Sequence, residues 1–367
     1  MGYIAVKGGA AAIENAERFA RLRQRSNGSE PLSPDQVRDQ LHLAVDRVMG
    51  EASLYAPDLA ALAFTQAAGD TFEAAFILRA YRSTLPRLGY AAPTATDGMR
   101  VIRRISAAFK DLPGGQILGP TRDYTLRLLD FSLQEDTGQG ASADLSRLLE
   151  ETGHRDPLPE RFPKVVEMLR DEGLLVPRPA PAGEAAAPVD VTRQALAFPA
   201  PRSAQLQTLA RGETGGLLAL AYSNMRGYGS VHPVIGELRV GELPVVYTNP
   251  GSGRREAIGR MLVTEAEVIS RIAEARGPAM FSLGYGLCFG HNEIKAIAMA
   301  VLDRAISGEA SNAPSEDQEF VLTHVDGIES MGFCNHYKLP HYVTFQSELD
   351  RLRMIRHGRY EATEESR

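Results

Sequence analysis

Apolar residues in the first third of the chain recur at helical spacing. Residues 3–6 form a short apolar run that reads as a strand, Gly8-Gly9 then turns the chain, and Ile13, Ala16, Ala20 and Leu22 follow on one face. Such a strand, turn and helix can present backbone N–H groups to an anion beside Lys7, although the full phosphate-loop pattern is missing and a structural turn fits equally well. Ser33-Pro34 supplies an N-cap and a first-turn proline, and Val37, Leu41, Ala44, Val45 and Val48 line one stripe, which predicts a single helix. Pro57 opens another, and Asp70 with Glu73 makes a capping-box pattern ahead of Phe72, Phe76, Ala80 and Tyr81. Further helices are expected at 121–133, through Leu126, Leu129 and Phe131, and at 163–171.

The period changes beyond residue 190. Short apolar runs at 217–220, 235–240, 245–247 and 261–263, separated by Gly and Pro, predict antiparallel strands. A helix over 292–306 follows, capped by Asn292, with Ile297, Val301 and Ala305 on one face. The run PRPAPAGEAAAP at 177–188 has no periodicity and favours an extended, solvated segment. The expected organisation is therefore α+β: a mainly helical domain over 1–176, a linker over 177–190, an α+β domain over 191–357 and a polar tail over 358–367.

Composition narrows the class. With 367 residues, of which 44% are hydrophobic and 23% charged, the chain can bury a large core and exceeds the usual size of a single one. It has no apolar run long enough to span a bilayer and no leader pattern at residues 1–7, so a cytoplasmic protein is expected. Cys288 and Cys334 are too few for a disulfide framework and fit a reducing compartment. A net charge of -6 argues against general nucleic-acid binding. Within that acidic chain, Arg100, Arg103, Arg104, Lys110, Arg122 and Arg127 crowd one segment against Asp111 and Asp123, which suits a confined anion such as a phosphate or, more plainly, a solvated face.

Two further patterns carry candidate chemistry. His336 and His341 are five apart with Pro340 between them, so no single helix holds both and a loop must bring them together. Two imidazoles supply half the ligands zinc takes, with Cys334 nearby as a further soft donor; ordinary hydrogen-bonded histidines are the plainer reading. The run Tyr222-Ser223-Asn224-Met225-Arg226-Gly227-Tyr228-Gly229 joins an aromatic face to planar donors and to glycines that admit a close ligand. Gly284-Tyr285-Gly286 repeats the theme before Cys288 and His291, and two tight turns with packed aromatics would explain both. The carboxylates nearby are Asp123, Glu237, Glu265, Asp326 and Glu329, and no spacing among them marks an acid and base pair.

In order along the chain, YIAVKGG (3–9), LAVDRVM (43–49), QAAGDTFEAAFILRAYRSTL (66–85), 98–131 with RRISAAFKDLPGGQILGPTRDYTLRLLDF, 217–229 with HPVIGELR, 284–303, and 319–349 with HYKLPHYVTFQSEL resemble the PhnI family of the bacterial carbon-phosphorus lyase system. The resemblance spans nearly the whole chain and is weakest in the linker and at 242–258. It departs at Leu283, where an Arg commonly precedes Gly-Tyr-Gly, and at Gly327, where an Asn is usual.

The resemblance implies a subunit of a core complex with PhnG, PhnH and PhnJ, with PhnL or PhnK as further partners and two copies of each chain. It implies nucleosidase-type activity and, with partners, replacement of the purine of MgATP by an alkylphosphonate at ribose C1. His336 and His341 match the family's histidine pair, which implies zinc at the contact with PhnJ. Glycosyl transfer builds positive charge on the ribose ring, so a carboxylate must lie near it. On that chemistry Asp123 or Glu237 is expected to steady the cation, Arg103, Arg104, Lys110 and Arg226 to hold the triphosphate with magnesium, and Tyr228 to face the base. A scaffold that only completes the radical subunit's site, and a purine nucleosidase that works alone, are the competing readings.

Overall fold

The computed structural model describes residues 9–26, 28–134, 146–148, 150–151, 159, 161–177, 188–229, 233–271, 279–308 and 313–357, and the side chains of Tyr228 and Arg271 are outside that description. The expected strand at 3–6, Lys7, most of the linker and the polar tail lie outside the described residues.

Helix α1 (Ala10–Arg25) buries none of its residues. Ser33 then caps α2 (Pro34–Gln40): its hydroxyl accepts from Gln36 N at 3.2 Å and its own N–H donates to the Gln36 side chain at 2.9 Å. The single helix predicted here is broken. Leu41 leaves helical dihedrals and turns outward, and α3 (His42–Ala52) starts afresh, so Val37, Val45 and Val48 face one core while Leu41 does not. Against these pack α4 (Pro57–Gln66) and α5 (Thr71–Ser83), the latter capped by Asp70, whose carboxylate accepts from Phe72 N and Glu73 N. Met49, Ala52, Ala60, Ala61, Ala74 and Leu78 close this helical layer.

Four antiparallel strands in the order β1-β2-β3-β4 form the sheet: β1 (Arg100–Ile105), β2 (Val234–Thr248), β3 (Arg255–Arg271) and β4 (Phe281–Phe289). The separate strands predicted at 235–240 and 245–247 are one. Pro244 does not interrupt β2, because β1 pairs only Leu238 to Glu242 and the proline lies past that stretch. β1 belongs to the chain before the expected linker and is hydrogen bonded to β2 after it.

The sheet's two faces differ in kind. One carries Leu238, Ala266, Val268 and Cys288 against α9 (Glu293–Ala305), α7 (Arg202–Arg211) and α8 (Thr214–Ser223), which make the main core. The other carries Arg104, Glu237, Arg239, Glu265, Glu267 and Tyr285 beneath α6 (Val165–Asp171). The run at 217–220, expected as a strand, is helical: Glu213 caps α8 by accepting from Gly215 N and Gly216 N, and Leu217 and Ala221, four apart, bury together.

The helix expected at 121–133 is also absent. Arg127 sits at φ 58, only a short 3-10 turn forms at Phe131–Gln134, and among the described residues Leu126, Leu128 and Leu129 find no surface to pack on. After α10 (Gln318–His324) come α11 (Gly327–Tyr337) and α12 (Tyr342–Arg356), which buries none of its residues. Cys288 is buried and Cys334 exposed, both as free thiols. Among the described residues no helix is long and apolar enough to cross a membrane.

Candidate functional site

The adjacent arginines of β1 are both fully buried, which sets what they can do. Arg104 Nε donates to Glu237 at 2.5 Å, Nη1 reaches Pro113 O and Gly115 O at 2.7 and 3.0 Å, and Nη2 reaches Pro163 O at 2.7 Å. Glu237 in turn accepts from Val165 N at 3.2 Å, the N-terminus of α6. The pair fastens β1, β2, the 113–115 turn and α6 together, and neither member is open to a ligand outside the sheet. Arg103 is spent differently: Nη1 donates to Leu118 O at 2.5 Å, Nη2 to Asp123, and Nε stands 2.7 Å from Glu293 Oε1. Neither guanidinium is free for a triphosphate. A buried charge needs an opposite charge beside it, and each arginine finds its own within the chain.

Around Arg104 the charged face continues as a row. Arg239 pairs with Glu265, Lys164 reaches Glu265 at 3.0 Å and Glu267 at 2.5 Å, and Tyr285 and Thr96 each donate to Glu265. The Arg239 and Lys164 cations hold the Glu265 carboxyl down at about 2. Burial pushes Glu267 the other way, to about 7, with Lys164 its only cationic partner among the described residues and Glu265 and Glu237 repelling its charge. Tyr285 is therefore no part of a ligand-admitting turn. Its strand is regular, the half-buried side chain spends its hydroxyl on Glu265 in this row, and Leu283 packs beside it into an apolar cluster with Leu174 and Phe281.

Of the other expected phosphate and base contacts, Lys110 and Arg226 are exposed. Arg226 lies on a π-helical turn over Asn224–Tyr228, its guanidinium 5.6 Å from the ring centroid of Tyr222, and Gly227 closes the turn at φ 97. Glu293, which the structure places against Arg103 and His291, is absent from the residues the sequence singles out. Its signal in the sequence was an acidic residue in the first turn of a well-marked helix, which a helix N-terminus alone explains.

His336 and His341 flank the turn between α11 and α12, one in the last helical turn and one at the cap, with their Nε2 atoms 3.2 Å apart. His341 Nδ1 is 2.6 Å from Leu339 O, a carbonyl that only accepts, so the proton sits on Nδ1 and Nε2 offers its lone pair. Two nitrogens bound to one tetrahedral zinc stand about 3.3 Å apart, so the spacing fits that ion. Cys334 adds nothing to the set: among the described residues no three His, Cys, Asp or Glu gather as a metal site. α11 is anchored at its far end by Asp326, which caps the helix and accepts from Arg79 Nη1 at 2.8 and 2.9 Å. At Gly327 a Cβ would stand 2.8 Å from Glu213 Cβ, which accounts for glycine there in this chain. Among the described residues, no hydrogen bond or ion pair links the histidine turn to Arg103, Arg104 or Asp123.

An α+β fold with an ionic sheet face and a pair of facing imidazoles defines a class that the comparisons make specific: residues 2–359 match the family described as bacterial phosphonate metabolism protein (PhnI). The chain belongs to the PhnI family. It is 54% identical over 360 residues to HtxH of Stutzerimonas stutzeri, named for a C-P lyase subunit, covering 96% of this chain and 95% of that one. It is 49% identical over 361 residues to the alpha-D-ribose 1-methylphosphonate 5-triphosphate synthase subunit PhnI of Rhizobium meliloti (strain 1021), covering 96% and 95%. The subunit of the same name from Escherichia coli (strain K12) is 45% identical over 359 residues, covering 96% and 98%.

Proposed function

We propose that this chain is a subunit of the synthase that makes alpha-D-ribose 1-methylphosphonate 5-triphosphate in phosphonate breakdown, working on MgATP and an alkylphosphonate. The observation that carries this is its identity, nearly end to end, with two proteins named as subunits of that synthase. In the reaction the C1–N9 bond breaks and its electron pair leaves with the purine, which takes up one proton. An oxygen of the phosphonate monoanion supplies the new pair to C1 and the phosphonate gives up its proton. The oxygen must wait within about 3 to 3.5 Å of C1, shielded from water. If water takes its place, the outcome is nucleoside hydrolysis, which is the activity expected of the chain without partners. Lys110 and Arg226, exposed as they are, remain the residues of the original set that can meet the magnesium-bound triphosphate.

The partners this reading assigns are PhnG, PhnH and PhnJ, with zinc held by His336 and His341 and completed from a neighbouring chain. Zinc bound there supplies a Lewis acid. Incubating the assembled complex with MgATP and methylphosphonate should release adenine and form the ribosyl phosphonate, whereas the chain alone should release adenine only. No adenine in either mixture would sink the proposal. Replacing both histidines with alanine should lower the zinc content of the complex by about tenfold or more, read by elemental analysis, and unchanged metal would remove the ligand assignment.

One observation favours a second reading. α12 buries nothing, and Phe333, Tyr337, Tyr342, Val343 and Phe345 around the histidines are exposed, as a surface completed by another subunit would be. On that reading the chain is a scaffold for its neighbour's site and binds MgATP only after assembly. Calorimetric titration of the isolated chain with MgATP separates the two.

A further inference from the structure

A carboxylate that serves a nucleotide's sugar must be held rigidly and still reach solvent. Glu237 and Glu265 fail the second condition, since each side chain is 1% exposed. Asp123, at 41%, and Glu293, at 19%, meet both conditions. They come from segments 170 residues apart by numbering, the loop after β1 and the first turn of α9, and one buried guanidinium holds them together. Arg103 Nη2 donates to Asp123 Oδ2, and Arg103 Nε is 2.7 Å from Glu293 Oε1 but out of line for a hydrogen bond, which leaves a buried donor without an acceptor at the centre of the cluster.

The surroundings keep Glu293 in place. His291 Nε2 lies 2.8 Å from the same Oε1, and His291 N donates to Asp46 on α3 at 2.9 Å. Asn292 Nδ2 donates to Asp46 O at 2.9 Å and to Phe289 O at 2.6 Å. Gly290, at φ 72, makes room for Asp46, since a Cβ there would come within 2.4 Å of it. With Oε1 engaged, Oε2 of Glu293 makes no hydrogen bond among the described residues, and Oδ1 of Asp123 faces only Arg127 at 3.7 Å. Each carboxylate thus has one oxygen left to accept, and both meet the same guanidinium. Two neighbouring hydroxyl donors match that arrangement.

We propose that Asp123 and Glu293, bridged by Arg103, read the 2′,3′-cis-diol of the nucleotide's ribose. This rests on the synthase reading above and gives that reading its sugar specificity. Arg103 is a positioning residue, and the two carboxylates are the groups that meet the substrate. A site built to accept from hydroxyls discriminates strongly against an analogue lacking one, because the carboxylate oxygen is then left unpaired.

The test uses the assembled complex with methylphosphonate and compares kcat/KM for adenine release from MgATP, 2′-deoxy-ATP and 3′-deoxy-ATP. The wild type should prefer ATP by about 100-fold or more. Glu293→Gln and Asp123→Asn should each lower kcat/KM for ATP about 100-fold while changing the value for one deoxy analogue by less than about threefold, so that discrimination collapses. Thermal melts accompany each variant, and a variant that folds yet loses ATP and both analogues equally overturns the diol assignment. A wild type indifferent to the missing hydroxyl overturns it as well. If the wild-type complex releases no adenine from any of the three, the synthase reading itself falls and the diol site falls with it. Arg103→Lys, which keeps the charge but cannot bridge two carboxylates, should reproduce the lost discrimination.

Discussion

Replacing Gly286 with alanine should destabilise the protein by about 3 kcal/mol or more and lower adenine release by the assembled complex with it. A Cβ at Gly286 would stand 2.1 Å from Ala296 O and 3.0 Å from Met299 Cβ, and one at Gly284 would stand 2.0 Å from Ala300 O. Those oxygens are backbone, so no side chain can swing aside, and α9 must lift off β4. The helix carries Glu293 at its N-terminus, and Asp303 near its other end accepts from Tyr285 N at 2.8 Å, so a displaced helix pulls on both the carboxylate cluster and the strand. Gly259→Ala is the matched control, since a Cβ there meets nothing within 4 Å and the residue also lies in a strand. Urea unfolding with an unchanged m-value measures the difference. A Gly286→Ala protein as stable as the control would mean that β4 and α9 are not packed as described.

The same Gly-Tyr-Gly shows where the sequence was legible and where it was not. Caps and punctuation read correctly where they act locally: Ser33, Pro57 and Asp70 each stand at the helix start assigned to them, whereas Asn292 stands at its helix start but caps nothing, its amide donating to Asp46 O and Phe289 O instead. Short apolar runs did not. LLAL at 217–220 suits a strand or a helix equally, and the cap from Glu213 that decides the matter precedes the run. At 121–133 the leucines look like a helical stripe, yet a stripe needs a surface to pack against, and none meets it among the described residues. The glycines at 284 and 286 signal close approach, but whether a ligand or a helix approaches is a tertiary fact. For the histidines, Pro340 showed that no single helix holds both, while the carbonyl of Leu339 that fixes the tautomer was invisible. Charge was the hardest to read. A basic segment gives no sign of which arginines are buried, and β2 and β3 show it only as polar residues two apart, Glu237 with Arg239 and Glu265 with Glu267, where an ordinary solvated sheet face would show the same alternation.

That buried row makes the second large prediction. Lys164→Met should destabilise the fold by about 1.4 kcal/mol at pH 8, because Glu265 keeps Arg239, Tyr285 and Thr96, while Glu267, whose folded value is about 7, takes up a proton once it loses the only cation that touches it among the described residues. Glu267 Oε2 already lacks a hydrogen bond, so nothing else is poised to compensate. The loss should shrink on acidification, since a neutral carboxyl needs no cation. In the wild type the folded-state value of Glu267 stands at about 7 against 4.5 for an ordinary glutamate, so the folded chain binds this proton more tightly than the unfolded one. The stability this group contributes is therefore fully present below pH 4.5 and is lost as the pH rises through 7, a change of about 3 kcal/mol. Glu267→Gln mimics the protonated form and should remove that part of the pH dependence, and the Lys164→Met/Glu267→Gln double variant should recover most of what Lys164→Met loses at pH 8. The four proteins form a cycle, measured by urea unfolding at pH 5 and pH 8. Additive losses at both pH values would show that Lys164 and Glu267 do not interact.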